Sequence, residues 1–423
     1  MPDFAPTTRP TMDLLRLITC GNVDDGKSTL LGRLLHDTKS IFEDQWEAVQ
    51  QASVRRGDPA TNLALLTDGL RAERERGITI DVAYRYFATP RRKFILADCP
   101  GHFEYTRNMV TGASSAQLAL LLVDVRNGLT EQTCRHAFLA SLLRIKHLIV
   151  CVNKMDLVDF RQDAFEHVRN QFMAYAERLE GLDIQFVPIA ALTGDNVVEK
   201  SARLSWFDGP PLLYTLETVY VGNEINHVDA RFPVQLVIGP SDAAPSFHGG
   251  AGQVASGIFR PGEEIMHFPS RRCARLKAIH GPSGSVNEAF HPMSVVLETD
   301  PPLPLARGDL LAKPNNQPTT GQEFESMLCW LSATPFDPAR RYVLRHTSNA
   351  IACTITQVRY KLDITTLHRN QNALPLAMND LARVTLHTSA PLCYDSYRKN
   401  RQTGCLILVD EAANTTVAAG MIL

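Results

Sequence analysis

The sequence predicts an α/β domain with a mostly parallel sheet and helices on both faces, followed by two antiparallel β-barrel domains. Apolar, strand-like runs alternate with helix-like runs from about residue 14 to residue 220 of the 423-residue chain. Short, continuous apolar strands separated by helices are typical of a parallel sheet that is covered on both faces. After about residue 222 the helical periodicity fades, and short β-branched runs alternate with Gly and Pro turns, which predicts small barrels.

The same patterns divide the chain into segments. We expect a flexible N-terminal tail at 1–13, the α/β domain at 14–222, one β-barrel domain at 223–313 and another at 322–423, with a turn-rich linker at 313–321. The predicted strands of the α/β domain are 14–20, 82–87, 94–97, 118–125, 147–152 and 184–189, and its predicted helices are 29–36, 43–56, 132–144 and 164–179. The predicted barrel strands are 232–238, 254–259, 264–268, 273–278, 294–297, 325–332, 341–346, 350–360, 380–386 and 406–410.

The composition indicates a globular protein without a strong preference for polyanions. Hydrophobic residues make up 44% of the chain and the formal net charge is −2, which does not favour nucleic-acid binding, although a local basic patch is compatible with it. The nine cysteines include no C-x-x-C pair, so we expect reduced core thiols in a cytoplasmic protein rather than disulfides or a zinc site. No apolar run approaches the ~20 residues of a membrane span, and residues 1–13 lack the apolar core of a secretory signal.

The strongest motif lies between the first predicted strand and the first predicted helix. Residues 21–28 read G-N-V-D-D-G-K-S, which fits the phosphate-binding pattern G-x-x-x-x-G-K-[ST]. A loop in this position points its backbone N–H groups and the positive helix end at phosphate oxygens. We expect Lys27 to reach the β- and γ-phosphates of a nucleotide and Ser28 to bind Mg²⁺. The alternative, a chance glycine-rich turn before a core helix, is disfavoured because strand, helix, Lys and Ser are all in place.

A second motif, D-C-P-G-H at 98–102, follows the predicted strand 94–97. An acidic residue at a strand end, here Asp98, can hold Mg²⁺ through water, and the backbone N–H of Gly101 can bind a γ-phosphate. Such a coupling is what a sensor of the nucleotide state needs. The D-x-x-G pattern alone is weak, but it becomes specific when it follows the phosphate loop in an alternating α/β sequence.

A third motif, N-K-M-D at 153–156, points to guanine. The carboxylate of Asp156 can accept hydrogen bonds from N1–H and the 2-amino group of guanine, a donor pair that adenine lacks, and such sites can reject the wrong analogue by ~10⁴–10⁵. The stem of Lys154 can lie over the base, and Asn153 can join this loop to the phosphate loop. A backbone N–H of 190–192, after the last predicted strand, could bind guanine O6. The alternative for N-K-M-D is a charged turn between strand and helix.

Taken together, these motifs resemble the GTP-binding domain of the translation-factor-type GTPases, elongation factor Tu and its relatives, and the β domains match that family's architecture. The resemblance implies that G-I-T-I-D at 77–81 is a switch in which Thr79 binds Mg²⁺ and senses the γ-phosphate. It also implies that His102 positions the attacking water, with Val23 and Ile78 as an apolar gate beside it.

The predicted GTP-binding residues are Gly21, Asn22, Val23, Asp24, Asp25, Gly26, Lys27, Ser28, Thr29, Asp98, Cys99, Pro100, Gly101, His102, Asn153, Lys154, Met155, Asp156, Ala190, Ala191 and Leu192. The predicted switch residues are Gly77, Ile78, Thr79, Ile80 and Asp81, and the predicted Mg²⁺ ligands are Ser28, Thr79 and, through water, Asp98.

A closer resemblance is to the large-subunit family of bacterial sulfate adenylyltransferase. It rests on N-V-D-D-G-K-S at 22–28, L-L-H-D-T-K-S-I at 34–41, Y-T-R-N-M at 105–109 and the C-terminal stretch 401–422. It implies a cytoplasmic GTPase, with Mg²⁺ as cofactor, in a heterodimer whose separate small subunit carries the ATP- and sulfate-binding site. Together they would form adenosine 5′-phosphosulfate and pyrophosphate from ATP and sulfate, for sulfate assimilation and cysteine biosynthesis, driven by GTP hydrolysis.

Two departures from this family bear on the expectation. Ala190 stands where the family usually has Ser, and we expect only a modest loss of nucleotide affinity because the base contact is a backbone N–H. Some relatives continue into an adenylylsulfate kinase domain, whereas this sequence has no second phosphate loop, so we expect that activity to be absent.

Other functions remain as alternatives to the sulfate-activating GTPase subunit. A translation factor that delivers RNA would need extensive phosphate contacts, which the net charge of −2 does not support. A non-hydrolysing GTP-dependent interaction module is disfavoured by the intact Lys27, Thr79 and His102. The polar stretch 36–80 is either a solvated, salt-bridged helical face or a segment that responds to the nucleotide. We expect neither nucleic acid nor a membrane as a partner.

Overall fold

The computed structural model describes residues 13–41, 43–56, 61–66, 81–102, 106–222, 226–239, 247–371 and 374–423. The chain divides into two compact units, Met1–Val221 and Gly222–Leu423. Residues 1–12 of the predicted tail and the predicted switch residues Gly77, Ile78, Thr79 and Ile80 lie outside the described residues. Asp13, which the sequence assigned to the tail, begins the first strand.

The first unit is an α/β domain built on a six-stranded sheet. Its strands are β1 Asp13–Cys20, β2 Ala83–Ala88, β3 Arg92–Asp98, β4 Leu118–Asp124, β5 His147–Asn153 and β6 Asp183–Pro188. Its helices are α1 Lys27–Asp37, α2 Glu43–Arg56, α3 Thr106–Ala113, α4 Glu131–Leu142, α5 Gln162–Ala176 and α6 Leu212–Thr218. The strand order is β2-β3-β1-β4-β5-β6, and only the edge strand β2 runs antiparallel to its neighbour.

The buried strands explain where the candidate site forms. Every residue of β4 and β5 is buried, as expected of central strands with helices on both faces. One face of the sheet packs on the leucines of α1, among them Leu30 and Leu34, which are fully buried. Because five strands run parallel, their carboxyl ends meet at one edge of the sheet, and the loops that carry the predicted motifs follow those ends.

The second unit is antiparallel. Its strands are β7 Arg231–Pro233, β8 Leu236–Ile238, β9 Gly249–Gln253, β10 Ile258–Phe259, β11 Glu264–Phe268, β12 Arg272–Gly281, β13 Gly284–Ser285, β14 Ala289–Phe290, β15 Ser294–Asp300, β16 Leu310–Ala312, β17 Thr319–Trp330, β18 Tyr342–His346, β19 Asn349–Leu362, β20 Arg369–Asn370, β21 Leu381–Tyr394, β22 Cys405–Asp410 and β23 Thr415–Ile422, with the short helix α7 Arg401–Gly404. The first sheet has the order β7-β16-β11-β12-β15-β9-β8, with β13 on β12, and β10 pairs with β14. The second has the order β18-β22-β23-β17-β21-β19-β20, and pairing of β18 with β19 closes it into a barrel.

Several predicted elements of the second unit are wrong in position. The strand predicted at 254–259 is replaced by β9 and β10, because β9 is a glycine-rich strand that β-propensity does not reveal. Glycine is required there, since a Cβ built on Gly252 would lie 2.3 Å from the carbonyl oxygen of Pro233. The predicted linker at 313–321 already contains the start of β17 at Thr319. The sequence patterns also failed to indicate α3, α6 and β23.

Two further observations bear on the sequence predictions. All nine cysteines lie in the described part of the chain and are free thiols, but Cys273 and Cys405 are exposed, so the prediction of core thiols is wrong for these two. In the ranges that the structure describes, no helix is both long and apolar enough to cross a membrane.

A buried ion pair joins the two antiparallel sheets. Arg231 of β7 and Asp395, which follows β21, have side chains that are 0% and 2% exposed. The guanidinium group donates to both carboxylate oxygens, from Nε at 2.8 Å and from Nη2 at 2.9 Å. A third donor, Nη1, binds the carbonyl oxygen of Asn316 at 2.8 Å. This bidentate geometry satisfies both charges away from water.

Candidate nucleotide-binding site

The loop at 21–28 connects β1 to α1, and two glycines are required by its geometry. A Cβ on Gly21 would lie 2.6 Å from the carbonyl oxygen of Leu122, because the loop passes directly over β4. Gly26 has a φ of +90° and precedes the first residue of α1. A Cβ there would lie 2.5 Å from the side-chain amide of Asn153. The loop therefore has the close approach and the left-handed turn for which glycine is suited.

Lys27 folds back over the loop. Its Nζ donates to the carbonyl oxygens of Gly21 at 3.0 Å and Asn22 at 2.6 Å, and the side chain is buried. Burial lowers the pKa of Lys27, while the carboxylates of Asp98 and Asp25 oppose that shift. A buried ammonium group whose hydrogen bonds go to two neutral carbonyl oxygens is well placed to accept an anionic ligand.

The interior of the loop is braced by its own side chains. The backbone N–H of Asn22 donates to the carboxylate of Asp25 at 2.7 Å, and the side chain of Asn22 accepts from the N–H of Val23 at 2.9 Å. Burial raises the pKa of Asp25, and the hydrogen bond from Asn22 opposes the rise. Asp24 is exposed, whereas Ser28 and Thr29 are half-buried in the first turn of α1.

The D-C-P-G-H segment packs directly on this loop. Asp98 ends β3 and is buried, and the hydroxyl of Thr19, its neighbour in β1, donates to its carboxylate at 2.7 Å. A Cβ on Gly101 would lie 2.4 Å from Nζ of Lys27 and 2.6 Å from the carbonyl oxygen of Gly21. Cys99 and Pro100 are buried and His102 is half-buried. The structure thus brings the carboxylate, the glycine and the lysine of two predicted motifs together.

Asn153 joins three loops. Its side-chain N–H donates to the carbonyl oxygen of Asp25 at 2.8 Å, and its side-chain oxygen accepts from the N–H of Ala191 at 3.0 Å. The N–H of Ala190 donates to the carbonyl oxygen of Asp195 at 3.1 Å, so this N–H is used within the turn at 190–195. Leu192, by contrast, is 52% exposed.

Lys154 and Asp156 extend from the same strand end. Lys154 has a φ of +63°, and its Nζ donates to the carbonyl oxygen of Asp24 at 2.5 Å. Met155 is fully buried and anchors the turn Met155–Val158, in which Asp156 is half-buried. Asp156 is therefore partly accessible, close to the carboxyl end of β5.

Sequence reasoning missed Thr19, Arg33 and Asp124. Asp124 ends β4, is 1% exposed, and binds Lys154 at 2.9 Å and Arg126 through both carboxylate oxygens. Burial raises the pKa of Asp124, but the hydrogen bonds from Arg126 and Lys154 outweigh it and lower the value to about 2. Arg33 of α1 donates to the carbonyl oxygens of Ala191 and Leu192. An acidic residue at the end of an apolar strand is a sequence pattern that indicates Asp124. No comparable pattern points to Thr19 or Arg33.

Comparison with known proteins now identifies the family. Residues 12–228 match the family model of the elongation factor Tu GTP-binding domain, and residues 323–423 match the model of the GTP-eEF1A C-terminal domain-like family. Sulfate adenylyltransferase subunit 1 of Bacteroides thetaiotaomicron is 46% identical over 421 residues, which cover 97% of this chain and 86% of that protein. The chain belongs to the sulfate adenylyltransferase subunit 1 family. The predictions of the fold class, of a GTPase and of a sulfate adenylyltransferase subunit are therefore confirmed.

Other similarities fit this family assignment. The bifunctional enzyme CysN/CysC of Mycobacterium tuberculosis is 53% identical over 412 residues, which cover 97% of this chain but only 67% of that protein. The GTPase-like domain of S. cerevisiae Ski7, solved with GDP and inorganic phosphate, aligns over 97% of both chains with a TM-score of 0.53 and 16% identity. At that identity the likeness concerns the fold alone.

Proposed function

We propose that this chain binds GTP with Mg²⁺ at the carboxyl edge of its parallel sheet and hydrolyses it to drive sulfate activation. In this proposal a separate small subunit forms adenosine 5′-phosphosulfate and pyrophosphate from ATP and sulfate. The observation that carries the proposal is the junction at Asn153, which holds the phosphate loop and the 190–192 turn against each other. The names of the subunit 1 relatives support the substrate class.

The two ends of the site divide the recognition of GTP. Lys27 leaves the carbonyl oxygens of Gly21 and Asn22 and binds the β- and γ-phosphates, which offer full negative charge. Asp156 accepts from the two guanine donors, and Lys154, held by Asp124, places its aliphatic stem beside the base. The phosphate end supplies affinity and the base end supplies specificity.

The residues present fit a Mg²⁺ ion that arrives with the nucleotide. Asp98 offers a buried carboxylate oriented by Thr19, and Ser28 offers a hydroxyl in the first turn of α1. In proteins, Mg²⁺ is commonly bound by one or two carboxylates together with substrate phosphate oxygens and water. When bound, the ion would neutralise charge on the β- and γ-phosphates. Ser28 would bind it directly and Asp98 through water, with Thr79 as the further ligand that the family resemblance implies.

Hydrolysis requires a water in line with the γ-phosphate. His102 follows Gly101, whose Cα lies beside Lys27, so its ring can orient the water at the phosphate end of the site. Lys27 and the loop N–H groups stabilise the negative charge that develops on the phosphoryl oxygens. P-loop GTPases that lack a completed site turn over on the order of 10⁻⁴ s⁻¹ and gain ~10³–10⁵ when a missing group is supplied. We therefore expect weak hydrolysis by the chain alone and acceleration by its partner and substrates.

The test is a coupled assay on the complex purified with its partner. Pyrophosphate release from ATP and sulfate should rise on addition of GTP, in step with phosphate release from GTP. Lys27→Met should abolish the GTP-dependent part. Lys146→Met is the matched control, because Lys146 is exposed at the amino end of β5, away from the site. Pyrophosphate release that is indifferent to GTP would contradict the proposed coupling, and co-purification of tRNA or ribosomes would favour the translation-factor alternative.

A further inference from the structure

A buried histidine lies beneath the first peptide of the phosphate loop. His136, on α4, is 0% exposed, and its Nδ1 accepts a hydrogen bond from the backbone N–H of Gly21 at 2.9 Å. The two residues are 115 positions apart in the sequence. The contact therefore depends on the packing of α4 against the sheet, and no motif of the chain contains it.

The protonation state of this ring follows from its partners. Because Gly21 donates to Nδ1, that nitrogen is unprotonated and the ring proton is on Nε2. Nε2 lies 3.1 Å from the amide of Gln132, which accepts this proton when the amide is oriented with its oxygen toward the ring. Burial, and then the positive charges of Lys27 and Arg135, lower the pKa of His136 to about 3. His136 is consequently a neutral acceptor near neutral pH.

Three contacts restrict the position of Gly21. Its N–H donates to His136, and its carbonyl oxygen accepts from Lys27 at 3.0 Å. Its backbone also lies so close to β4 that an added Cβ would be 2.6 Å from the carbonyl oxygen of Leu122. When Lys27 moves to a phosphate, the hold on the carbonyl oxygen is lost. The polar restraints that then remain around Gly21 in the described contacts are the bond from its own N–H to His136 and the bond from the N–H of Asn22 to the carboxylate of Asp25. Of these two, the bond to His136 alone ties Gly21 to an element outside the loop.

We infer that His136 is a positioning residue for nucleotide binding, which fixes the Gly21 peptide so that the loop stays in its binding conformation after Lys27 has transferred to the phosphates. This inference rests on the proposed function. A loop that must be ordered at the moment of binding costs affinity, whereas a loop ordered beforehand does not. Loss of the acceptor also leaves a buried N–H unpaired in the complex, so we expect GTP affinity to fall about tenfold without it.

The experiment compares two substitutions at this position in the complex purified with its partner. His136→Asn keeps an acceptor at the δ position, and His136→Leu keeps an apolar side chain of similar bulk without one. We expect the Kd and KM for GTP to rise about tenfold in His136→Leu, with kcat within about twofold, because the bond is present in both ground and transition states. His136→Asn should restore most of the affinity.

A matched control separates positioning from general stability. His147 is also buried and is bonded to Asp183 at 3.0 Å, but it begins β5 at the opposite edge of the sheet. His147→Leu should lower the melting temperature and leave the Kd for GTP unchanged. Equal GTP affinity in His136→Leu and the unmodified chain would overturn the inference, and so would a His136→Asn variant as weak as His136→Leu.

Amide exchange on the unmodified chain gives a readout that does not depend on a variant folding. The N–H of Gly21 should be protected from exchange both with and without GTP, and rapid exchange in the GTP complex would overturn the inference. Failure of the unmodified chain to bind GTP would instead overturn the proposed function.

Discussion

Removal of the Asn153 side chain tests whether one residue holds the candidate site together. Asn153→Ala deletes the donor to the carbonyl oxygen of Asp25 and the acceptor for the N–H of Ala191, at 2.8 and 3.0 Å. Each buried hydrogen bond contributes about 0.5–1.5 kcal/mol net, so the loss is about 1–3 kcal/mol. If the two loops separate in the free protein and must be brought back by the nucleotide, the Kd for GTP rises by about 5- to 150-fold.

The assay is a titration with a fluorescent GTP analogue in the presence of Mg²⁺, together with urea unfolding of the same samples. Asn400→Ala is the matched control, because Asn400 is also buried and its side chain bonds Ser256 at 2.7 Å and caps α7, but it lies in the second unit. The control should lose stability and keep the Kd for GTP. An unchanged Kd in Asn153→Ala, with the whole loss appearing in the free energy of unfolding, would refute the view that Asn153 organises the site.

Three other substitutions test the roles of single groups. His102→Ala should leave the Kd for GTP within about twofold and slow single-turnover hydrolysis by about 10²-fold, since the proposed role of its ring is to orient the water. Unchanged turnover would remove His102 from the proposed mechanism. Asp156→Asn should lower GTP affinity by about 10²-fold or more and favour xanthine nucleotides. Asp159 is exposed and follows the same turn, and Asp159→Asn should change neither property. A retained preference for guanine in Asp156→Asn would contradict the assignment. Arg231→Met should lower the free energy of unfolding by about 3–5 kcal/mol, because the buried carboxylate of Asp395 loses its bidentate partner and keeps the more distant Lys399, at 3.8 Å. The double variant Arg231→Met/Asp395→Leu should recover much of that loss. A single variant within about 1 kcal/mol of the unmodified chain in urea would show that the pair contributes little.

The motifs at the strand ends could be predicted because each lies directly after an apolar run. Asp98 and Asn153 are the last residues of β3 and β5, and a sheet of parallel strands brings such residues to one edge whatever the details of packing. The roles of Thr19 and Arg33 could not be predicted. Thr19 reaches Asp98 because the two residues are register partners in β1 and β3, and register is a tertiary property that the period of a single strand does not contain.

The antiparallel unit shows a second limit of the sequence. Strand β11 was predicted with its observed bounds, because an apolar run sits between clear turn residues. Strand β9 reads G-G-A-G-Q and has none of the β-branched or aromatic side chains by which strands are recognised. Its glycines are selected by the close approach of neighbouring backbone and side chains, such as Val296 beside Gly249, which only the folded sheet reveals.

The position of Lys27 connects phosphate binding to the segment that carries His102. Its ammonium group donates to two neutral carbonyl oxygens, and phosphate oxygens with full negative charge are stronger acceptors, so we expect GTP to draw it away from them. Gly101 lies so near that an added Cβ would be 2.4 Å from Nζ and 2.6 Å from the carbonyl oxygen of Gly21. A movement of Lys27 therefore changes the contacts of Gly101, and the next residue along the chain is His102. In the proposed function, His102 would orient the water and Lys27 would bind the phosphate. Because Gly101 lies against Lys27 and directly precedes His102, a response of hydrolysis to the γ-phosphate would need no relay through the sheet.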